Sequence, residues 1–183
     1  KNKNIKSVID LIDIFTRFSL TKKSVVITCG GGVIGDLAGL ASSLYKRGLI
    51  YINIPSTMTA LVDSCIGGKS SINVGKYKNI AGNFYPPEKI IIDVNFCQTL
   101  NEQQLVEGLC EAAKICYAYS FEQFNLYLSK INIDHNLHQL DFVELVTLSL
   151  KTKQKFIEED EFDNGIRLLL NFGHTFGHAL EGA

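Results

Sequence analysis

No apolar run in this 183-residue sequence approaches the roughly 18 residues of a membrane-spanning helix, and the Lys- and Asn-rich opening lacks the apolar stretch of a signal peptide. Nor is there a dense block of lysine. With a formal net charge of -1 and cations spread along the chain, the sequence carries no electrostatic footprint for nucleic acid or for a membrane surface. Small-molecule chemistry is the expectation that remains. The five cysteines, Cys29, Cys65, Cys97, Cys110 and Cys116, are odd in number and form no CxxC pair. Most sit inside apolar segments, so they read as reduced core residues of a protein in the cytoplasm or a reducing organelle stroma. What is present is a globular composition, 46% hydrophobic and 20% charged, long enough for one good core or for one domain plus part of another. A soluble protein is expected.

Residues 5–20 place Ile5, Val8, Ile9, Ile12, Phe15 and Phe18 at helical spacing and predict a surface helix. The β-branched run at 25–28 predicts a parallel strand buried on both faces, and it feeds directly into Gly30, Gly31 and Gly32, then Val33, Ile34, Gly35 and Asp36. Gly30, Gly32 and Gly35 match GxGxxG, whose glycines let backbone approach a pyrophosphate at the N-terminus of the next helix. An ordinary strand-to-helix turn uses the same glycines. A small-residue helix over 36–45 and a second strand over 49–54, closed by Pro55, complete a strand-helix-strand crossover. Residues 56–62 read as a short helix. The loop from Asp63 to Lys69 then sets a carboxylate and a lysine around Gly67 and Gly68, and a second loop, 76–79, adds two lysines and an amide. Such donors suit a phosphorylated or carboxylated substrate, although a charged surface hairpin would use them too. Residues 89–94 predict a third strand.

From Asn101 onward only helical periodicity is found, over 102–117, 121–128, 140–158 and 167–180. The shift divides the chain into an α/β part, 1–99, and an all-α part, 100–183. In the first of these helices Glu107, Glu111 and Lys114 project together, so Glu111 is either an ordinary ion-pair partner of Lys114 or a metal ligand. In the last, His174 and His178 stand at i and i+4, with Asn171 one turn before and Arg167 a turn earlier still. An HxxxH pair fits a metal face and equally a buried helix whose imidazoles bond to backbone. A catalytic zinc takes three protein ligands, so the pair needs a partner from elsewhere.

Taken in order, GGGVIGDLAG, PSTMTALVDSCIGGKSSIN, KN, EGLCEAAK and GIRLLLNFGHTFGHALE closely resemble the 3-dehydroquinate synthase family, over nearly the whole chain from about Val25. The resemblance implies Rossmann-like parallel strands with a glycine-rich loop, followed by an all-α part. It implies an NAD- and zinc-dependent lyase, with cobalt as an alternative metal, that converts 3-deoxy-D-arabino-heptulosonate 7-phosphate to 3-dehydroquinate plus phosphate in the shikimate pathway. By matched motif, Glu111 and His174 are metal ligands. Gly31, Gly32, Val33, Asp36, Ser56, Thr57, Lys69, Lys78 and Thr99 surround NAD. Lys69, Lys114, Lys153, Arg167, Asn171 and His178 carry catalysis, and Asp63, Lys78 and Asn79 hold the phosphorylated sugar acid. Arg47 would reach the phosphate of a neighbouring site, which implies a homodimer. The sequence departs from the family pattern at Asp163, where Glu is usual, at Phe162, where Arg is usual, and at Tyr77, where the residue is usually small. A third zinc ligand, a further histidine, and the strands that hold the adenosine end of NAD are expected outside these residues. The alternatives are another sugar phosphate cyclase, a metal-dependent polyol or glycerol phosphate dehydrogenase, and an inactive truncated relative that keeps only the fold.

Overall fold

Asn4 opens helix α1 (Ile5–Arg17) in the computed structural model, which describes residues 2–131, 136–173 and 177. The Asn4 side chain accepts from the Ser7 amide and so satisfies one of the helix's unpaired N–H groups. The helix buries Val8 and Phe15 against α2 (Gly32–Leu44), which follows strand β1 (Val25–Gly30) through the glycine loop. Strand β2 (Ile50–Pro55) pairs with β1 in parallel, Val25 opposite Ile50 through Gly30 opposite Pro55. This is the expected crossover. Helix α2 covers the face carrying Thr28, Tyr51 and Asn53, all buried.

Strand β1 is not buried on both faces. Val25 and Ile27 are 46% and 65% exposed and Cys29 is exposed, because among the described residues nothing packs on the face opposite α2. Of the cysteines, Cys65, Cys97 and Cys116 are buried as expected, whereas Cys29 and Cys110 are not.

After β2 the chain makes one wide helical turn, Ala60–Ser64, and then an antiparallel hairpin, β3 (Lys69–Val74) with β4 (Tyr77–Phe84). Of the loop expected from Asp63 to Lys69, residues 65–67 are turn and bend and Lys69 opens a strand, whereas Tyr77, Lys78 and Asn79 of the second expected loop are strand. Ser70 and Ile72 point inward and Ser71 and Asn73 less so, a period-2 alternation, and Ile72 enters the core beside α2. The predicted third strand is short: β5 (Lys89–Ile90) pairs with β2, giving the order β1-β2-β5. Beyond it the Asp93 carboxylate accepts from the Asn95 amide and draws the backbone into a 3-10 turn, Val94–Thr99.

Helix α3 (Glu102–Tyr119) starts at a capping box in which Asn101 and Gln104 exchange side-chain-to-backbone bonds. Helices α4 (Phe121–Ser129) and α5 (Phe142–Glu159) begin at Ser120 and Asp141, whose side chains accept from Gln123 and Glu144. Their apolar faces meet Met58, Leu61 and Val62 from the segment after β2 in one buried cluster with Leu105, Leu109, Tyr127 and Leu145. That packing fixes the end of the α/β crossover against the helices. Of the closing α-helix expected over 167–180, Gly177 is helical, 174–176 and 178–180 lie outside the described residues, and residues 167–171 belong instead to a 3-10 helix, Ile166–Asn171, ended by Phe172 and by Gly173 at φ +80. Its start is set by Asp160, whose carboxylate accepts from the amides of Asn164, Gly165 and Arg167 and tightens the turn before the segment can enter α geometry. Arg167 and Asn171 thus do not share an α-helix running on to His174, and His174 and His178 lie outside the described residues. No described helix is long and apolar enough to cross a membrane.

Candidate functional site

Between β1 and α2 the helix N-terminus has no side-chain cap, so its first amides face outward as an anion-binding surface. The cradle is tight. A Cβ on Gly31 would lie 3.0 Å from Thr57 Cγ2, and one on Gly32 would lie 3.1 Å from Ser64 Oγ. The pocket in front of the loop is walled by Gly30, Gly31, Gly32, Gly35 and Asp36, with Tyr51, Asn53, Ser64, Cys65, Gly68 and Lys69 closing it. The Ser56 amide donates to Gly30 O at 3.0 Å, and Thr57 packs on Gly31, so both expected residues border the loop. Burial raises the pKa of Asp36, opposed by the ammonium of Lys3 with which it pairs.

Lys69 leads from this pocket to a second group of charges. Its Nζ meets Asp163 Oδ2 at 2.5 Å, next to Arg167, whose side chain is almost wholly buried. Arg167 donates from Nη1 to Glu161 O at 2.6 Å and from Nη2 to Gly67 O at 3.0 Å. Gly67 is required here, since at φ +92 a Cβ would sit 2.1 Å from Arg167 Nη2. Arg167 Nε and Asp163 Oδ1 are buried without a partner among the described residues. Such orphaned polar atoms call for a water or a ligand group.

Lys153, buried on α5, holds Asp63 Oδ1 at 2.8 Å and also donates to the carbonyls of Asp63 and Ile66. Burial alone would raise Asp63, but Lys153, helped by Lys114 and Lys69, holds it below the ordinary carboxylate value. Glu111 and Lys114 form an ion pair at 2.7 Å on α3. Burial and the nearby Asp63 charge push Glu111 up, with Lys114 pulling the other way. Asp63, Lys69, Glu111, Lys114, Lys153 and Arg167 thus share one field.

Other expected residues fall elsewhere. Val33 is 47% exposed at the start of α2. Thr99 donates to Phe96 O in its 3-10 turn, Lys78 is exposed on β4, and Asn79 accepts from Lys3. Arg47 is exposed at φ 62, and neither Arg47 nor Thr99, Lys78 or Asn79 lines the glycine-loop pocket. Asn171 borders a separate cleft with Tyr117, Leu168 and Phe172. No three His, Cys, Asp or Glu side chains are grouped to hold a metal among the described residues. The sequence reading missed Lys3, Ser64, and the wall residues Tyr51 and Asn53. The last two are polar groups at alternate positions of an otherwise apolar strand, which is a usable signal, whereas nothing local marks Lys3.

Two family models divide the chain between them, 3-dehydroquinate synthase N-terminal over residues 1–107 and 3-dehydroquinate synthase C-terminal over residues 108–183. The chain belongs to the 3-dehydroquinate synthase family. A 3-dehydroquinate synthase of Endomicrobium trichonymphae is 43% identical over 183 residues, which are 99% of this chain and 50% of that protein. The chain spans about half the length of the curated relatives it matches. Among solved structures, 2-epi-5-epi-valiolone synthase from Streptomyces hygroscopicus subsp. jinggangensis, with NAD+ and Zn2+ bound, is 28% identical at TM-score 0.89, covering 99% of this chain and 51% of that one. The complex of 2-deoxy-scyllo-inosose synthase with carbaglucose-6-phosphate, NAD+ and Co2+ is 25% identical at TM-score 0.87, covering 98% and 49%. The architecture expected from the resemblance to the 3-dehydroquinate synthase family, parallel strands with a glycine-rich loop followed by helices, is the one found.

Proposed function

We propose that the chain forms the glycine-loop and helical-site half of a 3-dehydroquinate synthase, which converts 3-deoxy-D-arabino-heptulosonate 7-phosphate to 3-dehydroquinate and phosphate with NAD and zinc. The observation that carries the reading is Lys69, which lines the glycine-loop pocket while its ammonium joins Asp163 beside buried Arg167. A nucleotide cradle thereby opens onto converging cations, as oxidation of an anionic substrate needs. The side-chain-free surface at Gly31 and Gly32 fits a pyrophosphate, and Asp36 would take a ribose hydroxyl. Glu111 would give one carboxylate to the metal, with His174 assigned beside it by family resemblance. When bound, NAD would supply hydride transfer and zinc the polarisation of the hydroxyl being oxidised.

The chain's own residues bind and orient. Lys69, Lys153 and Arg167 would exchange carboxylate and carbonyl partners for the substrate's phosphate and carboxylate, and the planar guanidinium can grip either anion through two parallel bonds. Asp63, kept ionised, holds Lys153 in position for that exchange. Burial of Lys153 and Arg167 excludes water and strengthens each contact. A homodimer belongs to the same reading, with exposed Arg47 directed at the phosphate of the adjacent site. Identity of 43% to a 3-dehydroquinate synthase, against 28% and 25% to the two other cyclases, favours this substrate over theirs.

The test is the fate of the hydride. The full-length enzyme, given the heptulosonate phosphate with NAD and zinc, should release inorganic phosphate while NADH absorbance stays flat. NADH accumulating without phosphate release would overturn the reading in favour of a dehydrogenase.

A further inference from the structure

Three consecutive residues at the end of the hairpin, Phe84, Tyr85 and Pro86, meet the charged site from one stretch of backbone. Phe84 is paired with Lys69 in the register of β3 and β4, and its ring centroid lies 5.9 Å from the Arg167 guanidinium carbon and 5.5 Å from the ring of Phe162, edge to face. The Tyr85 amide donates to Gly68 O at 2.6 Å. Pro86 packs on Gly68, where at φ +68 a Cβ would stand 3.2 Å from Pro86 N. Gly67, one residue before, accepts from Arg167 Nη2 at its carbonyl, and Lys69, one residue after, gives its ammonium to Asp163.

Tyr85 is in turn fixed to the parallel sheet. Its hydroxyl donates to Leu49 O at 2.8 Å, just before β2, while its carbonyl accepts from the hydroxyl of Tyr51 on β2 at 3.0 Å. The two rings stack at 5.9 Å with their planes 13° apart. Two hydroxyl bonds running in opposite directions across one stack leave the half-buried Tyr85 little freedom. Burial pushes the Tyr51 hydroxyl up to about 12, so it stays a donor throughout the neutral range. Strand β2 also supplies Tyr51 and Asn53 to the wall of the glycine-loop pocket.

We propose that Tyr85 is a positioning residue for the charged site, tying the Gly67–Lys69 segment, and through it Arg167, to strand β2 so that the cations keep a set distance from the glycine-loop pocket. This rests on the reading of Lys69 and Arg167 as substrate donors. A reacting carbon has to be held within ~3–3.5 Å of its partner, and a displacement of about 1 Å costs up to about a hundredfold in rate. A substrate gripped by its anionic ends is placed by whatever places Lys69 and Arg167. Gly67 and Gly68 have no side chains to anchor them at positive φ, and Gly68 O finds its donor in Tyr85. The sheet that walls the pocket thereby also sets the cations, with Tyr85 as the link.

Tyr85→Phe in the full-length enzyme tests this, because it removes the bond to Leu49 O and keeps both the ring and the amide. With rates referred to folded enzyme by urea unfolding, kcat for phosphate release should fall about tenfold, as a misplaced donor set dictates. KM should rise by no more than about threefold, since a displaced cation still attracts an anion. NAD affinity measured by calorimetry should stay within about twofold of the unsubstituted value, because Tyr85 does not line the glycine-loop pocket. Tyr51→Phe, which removes the other bond, should lower kcat as well and serves if Tyr85→Phe does not fold. Combining the two should cost less than the product of the single losses, since both bonds hold one residue. An unchanged kcat, with or without a lowered urea midpoint, or NAD affinity and kcat falling in parallel, or single losses that simply multiply, overturns the inference while leaving the proposed function intact. An unsubstituted enzyme that releases no phosphate overturns the reading of the site and the inference with it.

Discussion

Replacing Lys153 by Met removes the only side-chain cation in direct contact with Asp63 among the described residues, and takes a donor from the Asp63 and Ile66 carbonyls, of which Asp63 O keeps the Ile66 amide at 3.5 Å. Breaking a buried pair by deleting one partner costs about 3–5 kcal/mol. Asp63 keeps 28% of its side-chain surface, so water relieves part of the loss and the expected cost is about 3 kcal/mol. The pH dependence carries a sign. In the unsubstituted protein the folded Asp63 lies below its ordinary value of 3.8, so the pair's contribution is fully present above 3.8 and is lost as pH falls through the folded value. In Lys153→Met burial is no longer opposed by that cation, so the folded carboxyl rises, and protonation relieves the variant at a higher pH. The stability gap between the two proteins should therefore narrow steadily from neutral pH into the acid range. Urea unfolding of both across pH 4–8 measures it, and Asp63→Asn combined with Lys153→Met should recover at least about 1 kcal/mol, since no buried charge is left unpaired. A gap below about 1 kcal/mol, or one that stays constant with pH, would refute the account of Asp63.

Gly67→Ala should destabilise by roughly 2–4 kcal/mol, because the positive φ is unfavourable to an L residue and the new Cβ, 2.1 Å from Nη2, displaces the buried Arg167 guanidinium. Urea unfolding checks this, and an unchanged midpoint would show that Arg167 can move aside freely. Gly108→Ala sets two effects against each other: a helix gain of about 1 kcal/mol and overpacking of about 1–3 kcal/mol, with Met58 Cγ 2.4 Å from the added methyl and Met58 backbone at 2.6 Å. A net loss near 1 kcal/mol is expected, and a stabilised variant would mean that the Met58 segment yields.

The glycine loop was legible because its constraint is local: a β-branched strand followed by residues that leave no Cβ in the cradle. The hairpin was not, since β3 owes its pairing to β4 and the burial of Ile72 to α2, both tertiary contacts. Apolar content alone also misled at β1, where Val25 and Ile27 predicted burial on both faces although only one face is covered among the described residues. At 167–171 the leucine spacing fits a helix, but three amides given to Asp160 override it. Pairings across long separations, such as Lys3 with Asp36 or Asp63 with Lys153, leave no periodic trace at all.

Glu111 shows what the pairing adds to the residue type. Spacing on α3 allowed an ion pair with Lys114 or a metal ligand, and the structure has the ion pair at 2.7 Å. A half-buried carboxylate pushed toward neutrality by burial and by Asp63 needs a cation beside it to stay charged, and Lys114 meets that need. A divalent ion would meet it more strongly, so the contact with Lys114 and the proposed role in holding zinc answer one electrostatic demand. The same logic explains why Lys69, Lys153 and Arg167 are all engaged by carboxylates or carbonyls in this structure. Under the proposed function, cations that receive a phosphorylated acid would need partners that the substrate's own oxygens can replace.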